Sequence, residues 1–189
     1  MVAGSREASG YSLIELLFAA AVMATVAAIA VPQAFAFLDR ARAVSAARFL
    51  ASRIAVARSQ AVMRSRHVAL RFDEGDAGIT FRMFSDGNRN GVRNADIAAD
   101  IDPALGPAVR LADLYQGVAI AVAPPAGLDP VRFGASNLLS FTPLGTSTSG
   151  SVFVRGRDGS QFAIRVLGST GRARIQRFVE RSRTWSDTY

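Results

Sequence analysis

The 189-residue chain has no cysteine, one histidine and one tryptophan, and its 22 basic residues are all arginine, with no lysine anywhere. Without cysteine there is no disulfide to close a loop and no thiol chemistry. The lone His67 has no cysteine beside it to build the usual metal cluster and no nucleophile at a recognisable spacing. No glycine-rich phosphate loop follows a strand pattern. The hydroxyl-rich stretch Gly145-Thr146-Ser147-Thr148-Ser149-Gly150 lacks the spacing of a nucleophile elbow and reads as a turn. These absences argue against an enzyme. The formal net charge of +7 is weak evidence for nucleic acid, because arginine used to the exclusion of lysine reflects overall composition; only the arrangement of arginines carries information.

Charge is also scarce near the start. Tyr11 to Val31 is an almost purely apolar run, about the 20 residues that a membrane-crossing helix needs, and its one charged residue is Glu15. A carboxylate in such a helix costs on the order of 2.5–3.5 kcal/mol at the bilayer centre and less near an end, so it calls for a partner. Cleavage after Gly10 would supply one: Tyr11 would become a cationic N-terminus about one helical turn from Glu15. An ordinary secretory signal cut near Ala34-Phe35-Ala36 would leave Gly10 and Glu15 unexplained.

The segment Gly10-Tyr11-Ser12-Leu13-Ile14-Glu15-Leu16-Leu17, with Pro32 near the end of the apolar run, resembles the N-terminus of type IV prepilins and type II secretion pseudopilins. The resemblance implies cleavage after Gly10 by a prepilin peptidase, methylation of Tyr11, and docking of one subunit on another through Glu15. It also implies single-pass residence in the bacterial inner membrane with the C-terminal part in the periplasm, and partnership with other pilins or pseudopilins in a helical filament.

From Gln33 to about Arg66 the pattern is that of a continuing amphipathic helix, with Phe37, Ala41, Val44, Ala47, Leu50, Ile54, Ala57 and Ala61 on one stripe. Arg42, Arg53 and Arg64 share another face, read as solvated. After His67, short β-type runs alternate with turns: Val68–Phe72, Ile79–Phe84, Gly117–Val122, Leu139–Thr142, Val152–Arg155, Phe162–Leu167 and Arg172–Phe178. Asp158-Gly159 marks one hairpin and Gly168–Gly171 another. The expected fold is α+β: a long N-terminal helix, membrane-spanning in its first half, packed on an antiparallel meander. The expected parts are a leader (1–10), a spine helix (11–66, with 11–31 in the membrane) and a β domain (67–189). The stretch from Ser140 to Thr146, the strands after it and Gly171-Arg172-Ala173-Arg174 resemble the C-terminal half of GspH/FimT-type minor pilins and pseudopilins.

Two constellations bear on binding. Asp86, Asn88, Asn90 and Asn94 stand at positions 1, 3, 5 and 9 of a calcium-type loop with Gly91 at position 6; position 12 is Ile97, and Asp96 falls one place early. The segment reads either as a calcium site using Asp86, Asn88, Asn90 and Asp96 or as a polar turn. In the second, Arg172 and Arg174 alternate onto one strand face, with Arg177 expected nearby. This resembles the motif through which FimT-type minor pilins bind DNA for uptake, and guanidiniums so placed can grip phosphates without reading bases. The resulting expectation is a structural subunit of a type II secretion pseudopilus or a type IV pilus, with a DNA-binding minor pilin for natural transformation as the alternative.

Overall fold

A computed structural model describes residues 11–122 and 129–187. The chain divides into two compact units between Leu38 and Asp39. Helix α1 runs from Leu13 to Arg64. Up to Leu38 every described side chain is exposed, large apolar ones included, so this stretch has no core of its own. Among the described residues, α1 is the helix long and apolar enough to cross a membrane. Pro32 lies within it and cannot donate to the carbonyl of Ala28. The hydroxyl of Thr25 donates to the carbonyl of Ala21 at 2.8 Å, so the one threonine of the apolar stretch is satisfied inside its own helix.

In the second unit, α1 carries a stripe of small and branched residues, Ala43, Ala46, Ala47, Leu50, Ile54, Ala57 and Ala61, all buried. The predicted stripe holds from Ala47 onwards and needs correction before it. Phe37 and Ala41 are exposed and Val44 is half-buried, because Ala41 stands about 200° around the helix from Ala43. The β domain takes up its cover at Ala43, where Gly156 comes so close that an added Cβ would lie 2.8 Å from the Ala43 methyl. Arg53 also departs from a purely solvated face, since its Nε is buried without a hydrogen-bond partner.

The expected single meander is two antiparallel sheets. The first has the order β3-β2-β1-β6, built from β1 (Val68–Gly75), β2 (Gly78–Ser85), β3 (Val109–Arg110) and β6 (Leu138–Phe141). The second is ordered β10-β9-β8-β7-β4, from β4 (Ala119–Ile120), β7 (Gly150–Arg155), β8 (Gln161–Leu167), β9 (Arg172–Val179) and β10 (Thr184–Asp187), with β5 (Val131–Arg132) also paired to β7. Strands β7 to β10 form a true meander, whereas β6 returns to pair with β1. Both expected hairpins form: Asp158-Gly159 turns β7 into β8, and 168–171 turn β8 into β9. Val68, Leu70, Phe81, Phe141, Val152, Val154, Phe162 and Ile164 share one core with the α1 stripe, so both sheets close on the second half of the helix.

The far face of the first sheet has its own small core of Ala69, Phe84, Val92, Ile97 and Leu138. Strand alternation sends Ala69 and Phe84 away from α1. Val92 and Ile97 cover them from the segment after β2, which contains helix α2 (Asn94–Ala98). A further short helix, α3 (Leu111–Leu114), follows β3.

Candidate functional site

Three regions were expected to carry function. Gly10 lies outside the described residues. Tyr11 precedes α1, and Glu15 sits in its first turn, where its backbone N–H donates to the carbonyl of Ser12 at 3.1 Å. A carboxylate is favoured at this end of a helix by the unpaired N–H groups there. From Tyr11 to Leu38 it is also the only charged residue. The geometry is an exposed apolar rod with one negative charge at its tip.

The polar loop is built around two buried carboxylates, Asp86 and Asp102, 1% and 2% exposed. Asp86 accepts backbone N–H groups from Asn88 (3.2 Å), Arg89 (2.6 Å) and Gly91 (2.9 Å). Asp102 accepts those of Gly87 (2.9 Å) and Arg93 (3.0 Å). The side chain of Asn88 accepts the N–H of Asn90 at 3.2 Å and donates to Asp96 at 3.4 Å. These bonds fold the loop back over the first sheet and bring Val92 and Ile97 onto Ala69 and Phe84. Ile97, at the position where a calcium loop would place its bidentate carboxylate, is a core residue. Among the described residues, no three acidic, histidine or cysteine side chains gather in metal-binding geometry.

The third region is the outer face of the second sheet, turned away from α1. Register decides its membership: Arg165 pairs with Arg174, and Leu167 with Arg172, on that face, whereas Phe162 pairs with Arg177 on the face toward the core. Arg172 and Arg174 therefore stand together. Arg177 does not join them, being an odd number of residues along the strand; it lines a polar cleft of about 270 Å³ with Arg40, Asp158 and Glu180. In its place the sheet brings in Arg165, and Arg132 beyond it on the neighbouring β5, paired to Ser151. Neither had been singled out from the sequence. The signal was available in the turn: with 168–171 as the loop, the hairpin pairs Leu167 with Arg172 and so Arg165 with Arg174. Like charges directly opposite on a sheet repel. Yet among the described residues no carboxylate lies within ion-pair distance of Arg165, Arg172 or Arg174. The three line an open cleft of about 630 Å³.

Gly171, just before these arginines, has a structural role. Its φ is +61°, and a Cβ there would run into the carbonyl oxygen of Gly145 and lie 3.0 Å from the Cδ of Arg58. Arg58, from α1, spans this site and donates from Nε to the Gly145 carbonyl at 3.0 Å. The glycine is thus required by the close approach of a turn, a hairpin and an arginine of the helix.

A long N-terminal helix whose second half is wrapped by antiparallel sheets, and whose first half is exposed and apolar, defines a pilin-like subunit. The family model for type II transport protein GspH matches residues 46–171, about two thirds of the chain, and the chain belongs to that family. The match runs from the buried stripe of α1 to Gly171, leaving Tyr11 and Glu15 before it and Arg172 and Arg174 after it. No curated protein and no solved structure matches the chain.

Proposed function

We propose that this pseudopilin waits in the inner membrane with its β domain in the periplasm, is cut after Gly10, methylated on Tyr11, and joins a type II secretion pseudopilus by packing its apolar helix among those of its neighbours. The supporting observation is the exposed, uninterrupted apolar stretch of α1 with Glu15 alone at its tip. Burial of that stretch in lipid, and then among other helices, satisfies the hydrophobic effect at both stages. Glu15 acts at the second stage, where the cationic N-terminus of a neighbouring subunit neutralises it more strongly than in water because the surroundings are apolar. Its work is structural, with energy and catalysis supplied by partner proteins. Intact-mass measurement of membrane-extracted protein tests the processing: a chain beginning at methylated Tyr11 supports it, and one beginning near Phe37 establishes an ordinary secretory signal.

A second reading, a DNA-binding pilin, is favoured by the unpaired cluster of Arg165, Arg172 and Arg174 on one sheet face. Guanidiniums without acid partners are available to phosphates, and binding of this kind falls steeply with salt. Changing Arg172 and Arg174 together to Gln should weaken DNA binding and flatten its salt dependence, whereas the same change at the exposed helix residues Arg48 and Arg64 should not. Equal effects from both pairs would mean a diffuse attraction by net charge.

A further inference from the structure

The outer face of the second sheet carries more than its arginines. Further along the same face, Trp185 of β10 lies opposite Phe178 of β9, with ring centroids 5.2 Å apart, and also packs on Phe153 of β7 at 5.6 Å. The guanidinium of Arg132 lies over the Phe153 ring, 4.9 Å from its centroid. Phe153 is almost fully buried, whereas Phe178 and Trp185 remain partly open to solvent. One face of one sheet thus presents a guanidinium cluster at one end and partly open aromatic rings at the other. Its one described carboxylate, Asp187, accepts a hydrogen bond from Gln176 at 2.9 Å rather than pairing with an arginine.

We propose that this face binds single-stranded polynucleotide, with Arg165, Arg172 and Arg174 on the phosphates and Trp185 and Phe178 as the stacking surface for unpaired bases. The inference rests on the nucleic-acid reading above and adds to it the form of the ligand and the residues Arg165 and Trp185. Arg172 and Arg174 lie about 7 Å apart along the strand and Arg165 about 5 Å across it, so the cations form a compact patch. An acidic protein would match that patch but has no use for rings beside it. A duplex would likewise leave the rings idle, since its bases are already stacked. A single strand uses both, with backbone on the cations and bases on the aromatic surface.

Trp185 is the only tryptophan in the chain, so its emission reports directly on stacking. Full-length protein in neutral detergent micelles is titrated with an oligonucleotide of more than about 16 nucleotides, single-stranded or annealed to its complement, over a range of salt. The single strand should bind more tightly than the duplex and quench Trp185. Arg165→Gln should reduce the slope of log affinity against log salt by about 0.7, the value for one phosphate contact on a single strand. Arg177→Gln, which removes the same charge from the opposite face, should leave the slope unchanged. Trp185→Leu keeps an apolar side chain in place and should cost about five-fold or more in affinity for the single strand. Equal or tighter binding of duplex with unchanged Trp185 emission overturns the inference while leaving the DNA reading standing. Failure of both nucleic acids to bind overturns the two together. Displacement of the strand by polyglutamate as effective as that by unlabelled strand reassigns the face to an acidic protein.

Discussion

Arg58, on the helix, donates from its Nε to the carbonyl oxygen of Gly145, 87 residues away, and its side chain lies over the glycine that opens the Gly171-Arg172-Ala173-Arg174 segment. This contact ties α1 to the turn after β6 and to the start of β9. It separates the roles within the segment: Gly171 is held by packing, whereas the guanidiniums of Arg172 and Arg174 are left exposed.

Gly171→Ala should lower stability by more than about 1 kcal/mol, because alanine is strained at positive φ and its methyl would press on the Gly145 oxygen. Each kcal/mol corresponds to roughly 2–4 °C in the midpoint of thermal unfolding for a chain of this size. Arg58→Met, which keeps an aliphatic stem over Gly171 but loses the donor, should cost about 1 kcal/mol. Thermal unfolding of the two variants beside the parent chain measures both.

The carboxylate of Asp86 is the acceptor for three backbone N–H groups in a loop that covers the small second core. Asp86→Ala should destabilise by about 1–3 kcal/mol, because donors held in a partly buried loop lose their acceptor. Calcium at millimolar concentration should leave the unfolding midpoint unchanged, since a ligand stabilises only what it binds. A rise with calcium that a chelator reverses would show that these carboxylates exchange their backbone donors for a cation.

The strong periodic signals in the sequence carried the helix, the longer strands and both hairpins, because each spans enough residues for its period to show. Strands β3 and β5 have only two residues each and owe their existence to pairing with β2 and β7, which no local pattern reveals. The split into two sheets was hidden for the same reason: β6 pairs with β1, far back in the chain, instead of with its neighbour β7. Arg172 and Arg174 were recognisable from strand alternation, but Arg165 enters only through register, and the aromatic cluster depends on β10, a short strand near the end of the chain. Ile97 was visible as a misfit in a calcium-type loop. Its burial against Ala69 and Phe84 accounts for that misfit.

Processing is open to a direct substitution. If the chain is cut after Gly10 as proposed, Gly10→Val should leave the leader attached, because a β-branched side chain would crowd a peptidase pocket shaped for no side chain. The variant should run heavier by the mass of residues 1–10 and lack the N-terminal methyl group. A variant cleaved and methylated like the parent chain would place the cut elsewhere.

The role of Glu15 tests the account most directly. Glu15→Ala should leave insertion into the inner membrane intact or improve it, since a charge is removed from an apolar helix. If Glu15 pairs with the N-terminus of a neighbouring subunit as proposed, the change should sharply reduce the subunit recovered in sheared filaments, because that cationic N-terminus would lose its partner. The measurement is the ratio of subunit in the sheared filament fraction to subunit in the membrane fraction, for parent and variant side by side. A ratio that falls while the membrane fraction is maintained is the predicted result, and an unchanged ratio would contradict assembly through Glu15.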